Sequence, residues 1–125
     1  MEDYEGGKLK DQKISANDLG EAQRIVAIRT TTIYRRLPMT VFSLGRVAIV
    51  GFGGEPFTHY ATAVREACPE RFIIASCCAN GGEGYLPTSA AFAEGGYEAN
   101  SSYFTPTLEE ECVSAVVELL KKQEM

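Results

Sequence analysis

The stretch that decides the fold is VAIVGFGGEPFTHYATAVREACPERFIIAS, residues 47–76. It opens on an apolar run, continues with a helical pattern that has one apolar face, and closes on a second apolar run. Two strands joined by a helix within about thirty residues form a right-handed βαβ crossover by default. We therefore predict buried, parallel strands at 47–52 and 71–77, joined by a helix at 56–67 that starts on Pro56.

The flanking residues extend this unit into a small mixed sheet with helices packed against it. Two β-rich runs meet at Gly45–Arg46, which predicts an antiparallel hairpin of residues 40–44 with 47–52. A first helix is predicted from about Ser15 to Arg36, with Pro38 ending it. The predicted fold class is α/β in a mixed, α+β-like arrangement.

The second half of the chain is rich in glycine and tyrosine before it becomes helical again. Between residues 79 and 106 we predict at most a short helix near 89–93. A last helix should begin at about Thr107, where a run of three glutamates favours a helix start. Its predicted inward stripe consists of Leu108, Cys112, Ala115, Val116 and Leu119.

Length, charge and cysteine content limit the possible functions. The 125 residues fit one domain or a fragment of one, with residues 1–14 as a flexible lead-in. The net charge of −5, with both signs interspersed, argues against a nucleic-acid partner. No apolar run approaches the ~18 residues of a membrane span. Without a signal peptide, and with four cysteines in no disulfide pattern, the chain is predicted to be cytoplasmic, although a longer parent could be secreted.

The glycines at the end of the predicted strand 47–52 do not form a dinucleotide-binding motif. That motif needs a third glycine where this chain has Pro56, and Glu55 would repel a pyrophosphate. What remains is a carboxylate at the carboxyl end of a strand, where open α/β sheets bind ligands. The next parallel strand should bring Tyr85 beside it. A helix-capping role for Glu55 and a packed loop position for Tyr85 are the alternatives.

Three segments resemble the neutral/alkaline non-lysosomal ceramidases. They are GGEPFT (53–58), ANGGEGYLPT (79–88) and GGYEANSSYF (95–104), in the order and spacing of that family. The similarity extends from about Pro38 to the C-terminus and would correspond to the C-terminal part of the catalytic domain. The resemblance implies a zinc-dependent hydrolase of the N-acyl amide of ceramide or a related lipid.

In that family two histidines, a glutamate and a tyrosine hold a catalytic zinc. The resemblance implies that Glu55 and Tyr85 are metal ligands and that Tyr97 borders the scissile amide. Such a zinc would acidify a bound water and polarise the carbonyl. Gly54 and Asn80 would shape the loops that present these side chains.

The chain departs from the family because its one histidine, His59, does not stand at a ligand position of the family. His59 follows Glu55 by four residues, so the two could share a metal on one helix side, or His59 could be a surface or supporting imidazole. Cys77 and Cys78 could bind a soft metal, although no C-x-x-C spacing supports this. Two protein ligands hold zinc poorly, so the chain alone is predicted to be inactive.

Three functional hypotheses remain. The first is a ceramidase-type amidase whose histidines come from a missing N-terminal segment of a longer parent. The second is a non-catalytic domain that self-associates as a dimer or higher oligomer through exposed apolar surface. The third is a small module that binds a polar ligand through its glycine–tyrosine loops.

Overall fold

The computed structural model describes residues 16–30 and 35–125. The chain divides into two units, Met1–Tyr34 and Arg35–Met125. The first contains helix α1, Ala16–Thr30, in which Glu21 and Arg24 form an ion pair one turn apart. The predicted lead-in lies outside the described residues.

The predicted extension of the first helix to Arg36 is wrong. Arg35 and Arg36 are not helical, and α1 ends at Thr30. The sequence from Thr30 to Ile33 contains four β-branched residues in a row, which have low helix propensity. Arg35 and Arg36 made a longer helix attractive from the sequence, because basic residues favour the last turn of a helix. The low helix propensity of residues 30–33 argues against that extension.

The second unit contains five strands and four helices. In chain order these are β1 (Met39–Leu44), β2 (Val47–Phe52), β3 (Glu55–Pro56), α2 (Thr58–Ala67), β4 (Phe72–Ser76), β5 (Tyr85–Leu86), α3 (Ser89–Glu94), α4 (Tyr97–Ser101) and α5 (Leu108–Lys122). The fold is α/β with a small mixed sheet, as predicted. Helix α3 confirms the short helix expected near 89–93, whereas α4 was not predicted.

The main sheet has the strand order β1-β2-β4. Strands β1 and β2 form an antiparallel hairpin around Gly45–Arg46, with Val41 opposite Val50. Strands β2 and β4 are parallel and α2 connects them, so the predicted βαβ unit is confirmed. A separate two-stranded sheet pairs β3 with β5.

Helix α2 begins later than predicted. Pro56 does not occupy its first turn but lies in β3, and the helix starts at Thr58 after the extended residue Phe57. The backbone N–H of Phe57 donates to Leu86 O at 3.1 Å, which continues the pairing of β3 with β5. Proline fixes φ at a value that suits an extended residue as well as a helix start, so sequence alone did not separate these outcomes.

The hydrophobic core lies on one face of the main sheet, beneath α2 and α5. Tyr60 and Val64 of α2 meet Phe52 of β2, and the Tyr60 ring stands edge-on to Phe52 with centroids 5.8 Å apart. From α5 the core takes Leu108, Cys112, Val116 and Leu120. The inward stripe thus advances four residues at a time, and the predicted Leu119 is 39% exposed beside it.

Buried Arg71 fastens the end of α5 to the sheet. Its guanidinium donates to Leu120 O at 3.0 Å, to Gln123 O at 2.6 Å and to Ser43 Oγ at 3.1 Å. The last carbonyls of a helix lack partners within the helix and carry partial negative charge, so a cation fits there. Arg71 thereby joins β1, α5 and the start of β4.

The opposite face of the main sheet is exposed and apolar. In β4 only Ile73 is buried, and alternate residues of β2 are exposed as well, so the prediction of buried strands at 47–52 and 71–77 is wrong for one face of each strand. The reason is that, within the second unit, helices cover the sheet on one side only. A continuous apolar run is typical of strands covered on both sides, and the second unit has the run without a second cover of its own.

Candidate functional site

The pairing of β3 with β5 brings Glu55 and Tyr85 together. These residues are direct partners in the parallel ladder, although thirty positions separate them. The N–H of Glu55 donates to Gly84 O at 2.8 Å, which fixes the register. Partners in a ladder project their side chains to the same side of the sheet. The carboxylate and the phenol therefore belong to one surface.

Tyr97 joins this surface from the first residue of α4. Its ring lies 5.9 Å from the Tyr85 ring, measured between centroids, at an interplanar angle of 72°. This edge-to-face arrangement is a favoured aromatic contact. Tyr97 is 61% exposed, so much of its surface is open to solvent. The structure thus brings together all three residues that the sequence singled out as ligands or catalytic groups.

The charge of Glu55 influences its neighbours. It is the main reason why the pKa of Tyr85 lies above its ordinary value of 10.0, with smaller contributions from desolvation, Tyr97 and Glu98. Desolvation, followed by the neighbouring Cys77 and Glu55, likewise raises the pKa of the Cys78 thiol. The phenol and the thiol are therefore protonated at neutral pH, beside a carboxylate that would attract a cation.

Two buried hydroxyls hold β5 in place. Ser102 Oγ donates to Tyr85 O at 2.9 Å and accepts from the N–H of Phe104 at 3.3 Å. Tyr60 donates its hydroxyl to Pro87 O at 2.9 Å, and burial raises the pKa of this phenol. Neither residue could be identified from the sequence, because each bonds to backbone more than fifteen positions away.

Gly54 and Asn80, the two predicted loop residues, both lie where the backbone limits which residues fit. A Cβ on Gly54 would lie 2.6 Å from Gly84 O, so a side chain there would force β3 away from β5. Asn80 has a φ of 61°, in the left-handed region that asparagine tolerates better than most residues. Its Nδ2 donates to Thr40 Oγ1 at 2.9 Å and ties the loop to β1.

His59 has a partner away from Glu55. Its Nδ1 lies 2.5 Å from Glu109 Oε1, and the side chain is 62% exposed on α2. The other Glu109 oxygen accepts from the N–H of Ser89 at 2.8 Å. Desolvation opposes ionisation of Glu109, but the contacts with Ser89 and His59 outweigh it and lower its pKa. One carboxylate therefore links α2, α3 and α5.

Arg35 was predicted to lie at the end of a helix but instead contacts Glu83 in the glycine-rich segment 79–88. Its guanidinium pairs with Glu83 at 3.1 Å and covers the Tyr103 ring at 3.9 Å from the centroid. Since Arg35 and Glu83 are 48 positions apart, no local pattern could have indicated this contact. The arginine helps to hold the segment that leads into Tyr85.

The cysteines and acidic residues do not form a further metal centre in the described part of the chain. All four cysteines are free, with Cys68 and Cys112 buried and Cys77 and Cys78 exposed. Within residues 16–30 and 35–125, no group of three or more His, Cys, Asp or Glu side chains is arranged to hold a metal ion.

Comparison with protein-family models, with curated proteins and with solved structures gave no match. None of the helices in the described ranges has the length and apolarity needed to cross a membrane. The functional interpretation therefore depends on the geometry of Glu55, Tyr85 and Tyr97 and on the three resembling segments.

Proposed function

We propose that this chain is the C-terminal part of a zinc-dependent amidohydrolase of the neutral/alkaline ceramidase type. Its substrate would be the N-acyl amide of ceramide or of a related lipid. The observation that carries the proposal is the in-register pairing of Glu55 with Tyr85, together with the contact between the Tyr85 and Tyr97 rings. The same three residues stand at the matching positions of the three resembling segments.

Glu55 and Tyr85 fit half of a zinc site. Zinc accepts carboxylate oxygen and can expand to five-coordinate, so four protein ligands (Glu55, Tyr85 and two histidines) would still leave a position for water. The chain contains one histidine, whose Nδ1 is held by Glu109. The two histidine ligands would therefore come from a histidine-bearing segment N-terminal to these residues in a longer parent chain, or from a separate partner.

The residues of this chain would have distinct roles in amide hydrolysis. Glu55 supplies negative charge that holds a cation, and Tyr85 adds a second oxygen on the same side of the β3–β5 ladder. Zinc, when bound, supplies an acidified water and a polarised carbonyl. Tyr97, which is largely exposed, would donate a hydrogen bond from its hydroxyl to the developing oxyanion of the scissile amide.

The substrate walls would also come from outside this unit. Two clefts in the described residues have volumes of about 380 and 230 Å³, one around Gln123 and the other around Ser89. Neither is lined by Glu55, Tyr85 or Tyr97. The four free thiols agree with a reducing compartment such as the cytoplasm.

The decisive experiment uses a longer chain in which a histidine-bearing segment precedes these residues. Zinc content and hydrolysis of an N-acyl sphingosine are measured for the parent and for Glu55→Gln and Tyr85→Phe. We expect Glu55→Gln to remove zinc and activity together, since carboxamide is a poor zinc ligand, and Tyr85→Phe to weaken both. Glu98→Gln, a nearby acidic residue without a ligand role, is the control and should retain both. Equal hydrolysis by all four proteins would refute the assignment.

A non-catalytic, self-associating domain is the second candidate, and the exposed apolar face of the main sheet favours it. A domain that binds a polar ligand through its glycine–tyrosine loops has no comparable observation in its favour. Zinc content distinguishes the amidase from both alternatives, because neither of them requires metal.

A further inference from the structure

One face of the main sheet lacks a cover in the second unit. We call it the open face, and it consists of Phe42, Leu44, Val47, Ile49, Phe72 and Ile74, which are between 39% and 74% exposed. The pairing register places them in adjacent rows, with Phe42 beside Ile49 and Ile49 beside Ile74. Alternate residues of the same strands, such as Val50, are buried in the core on the other side. The face therefore follows from strand geometry.

The open face is about as large as the largest apolar patches of monomers. Given the exposed fractions of its six side chains, it presents on the order of 600 Å² of apolar surface, at the upper end for the largest patch on a monomer. Two such faces together would bury about 1,200 Å², which is the lower bound for a stable protein interface. The area is therefore sufficient for a dimer of modest affinity.

The chemistry of the open face favours a second copy of this chain as its occupant. All six side chains are uncharged, so a charged partner would find nothing to pair with. Two sheets stack well face to face, about 10 Å apart, with interdigitated apolar side chains. Because both copies bring the same uncharged patch, a two-fold contact brings no like charges together within it.

The edges of the sheet favour face-to-face contact over edge-to-edge growth. At the outer edge of β1, Gln123 Nε2 donates to Val41 O at 3.4 Å. At the outer edge of β4, Arg65 Nε donates to Ile73 O at 3.3 Å. Side chains that occupy edge carbonyls hinder the addition of a foreign strand. The open face is the larger surface left for association.

We propose that two copies of this chain associate through their open faces as a two-fold, sheet-on-sheet dimer. The assignment does not depend on the proposed function, since it uses neither Glu55 nor Tyr85. The interface begins beside the hairpin turn at Gly45–Arg46. It ends at Gly51, because Ala79 lies directly over this residue: a Cβ at Gly51 would lie 2.6 Å from the Ala79 Cβ.

The test measures association of the whole chain by sedimentation equilibrium from about 1 to about 200 µM. We expect a reversible dimer. Phe72→Lys should weaken association by about 100-fold or more, because a lysine ammonium would be buried in an apolar contact. Leu119→Lys is the matched control: Leu119 is also exposed and apolar but lies on α5, and its substitution should leave association unchanged.

A second measurement does not depend on any variant. In an equal mixture of ¹³C-labelled and unlabelled wild-type chain, isotope-filtered NOEs should connect Phe42 and Phe72 of one copy to the open face of the other. Circular dichroism of Phe72→Lys and of the milder Phe72→Ser shows whether they are folded. A monomer at every concentration, a dimer that persists in both folded variants, or intermolecular NOEs confined to other surfaces would overturn the proposal.

Discussion

At the scale of single residues, the most informative feature is the effect of Glu55 on Tyr85. The carboxylate is the main cause of the raised pKa of the phenol. We therefore expect Glu55→Gln to lower the Tyr85 pKa toward 10.0, because the neutral amide no longer opposes formation of the phenolate. The pKa can be followed by NMR titration of the tyrosine ¹³Cζ resonances, with Tyr85→Phe to assign the signal.

Glu98→Gln is the control for this titration, since Glu98 makes the smallest of the four contributions to the raised Tyr85 pKa. It should shift the Tyr85 pKa less than Glu55→Gln does. A Tyr85 pKa that stays unchanged in Glu55→Gln would mean that the two side chains do not share one surface. That result would remove the geometric basis of the proposed zinc site.

Gly54 permits the close approach of β3 to β5. In Gly54→Ala the new methyl would lie 2.6 Å from Gly84 O and 3.0 Å from Leu86 Cδ2, so the two strands must move apart. We expect a loss of about 1–3 kcal/mol in the free energy of unfolding, measured by urea denaturation. The NOE contacts between Tyr85 and Tyr97 should weaken in the same variant.

Gly82→Ala is the matched control, because a Cβ at that position meets nothing within 4 Å. Its stability should be unchanged or higher by up to about 1 kcal/mol, through a less flexible unfolded chain. Equal destabilisation by both substitutions would show that any alanine in these glycine-rich loops is unfavourable. The contact between position 54 and Gly84 would then not be the cause.

At the scale of helices and strands, the sequence was most informative where the signal is local. The hydrophobic pattern of 47–76, with its glycine and proline punctuation, predicted the βαβ unit because each part shows its own periodicity. The convergence of Glu55 and Tyr85 followed from the rule that ligands gather at the carboxyl ends of strands. The two-stranded sheet that brings them together was not predicted, since two-residue strands have no periodicity.

The contacts that could not be predicted join residues that are distant in the chain. Arg35 with Glu83 and His59 with Glu109 are separated by 48 and 50 positions, and the choice of partner depends on how the helices pack. The exposure of Phe72 was missed for a different reason. An apolar run in a strand has the same sequence whether one face is covered or both.

Glu109 links three helices and should make stability depend on pH. It contacts His59 on α2 and the N–H of Ser89 on α3. Because these contacts lower its pKa below 4.5, the stabilisation is complete above that value and is lost as the pH falls through the lower folded-state pKa. Glu109→Gln should therefore cost about 1 kcal/mol at neutral pH and progressively less in acid.

This dependence can be measured by urea unfolding of Glu109→Gln and of the parent chain at several pH values. Glu110→Gln, the exposed neighbour on α5, is the control and should have little effect at any pH. A penalty for Glu109→Gln that grows as the pH falls would contradict the assigned direction of the pKa shift.

At the scale of the whole molecule, the second unit has two exposed surfaces that could bind other molecules. The β3–β5 surface carries a carboxylate and two tyrosines, of which Glu55 and Tyr85 are the proposed zinc ligands, and the open face carries six apolar side chains. Asn80 of the loop that follows β4 donates to Thr40 near the start of β1, so this loop lies between the two surfaces. A histidine-bearing segment could therefore reach Glu55 while the open face contacts a second copy.

The proposed dimer makes a specific prediction about salt. Each copy carries a net charge of −5, so the two copies repel each other at long range, whereas the open face itself is uncharged. Salt screens that repulsion and leaves apolar contact intact. Between about 0.05 and about 0.5 M NaCl, association measured by sedimentation velocity should therefore stay constant or strengthen by a few-fold. Interfacial salt bridges would give the opposite trend, so a dimer that dissociates as NaCl is added would show that charged side chains hold the copies together.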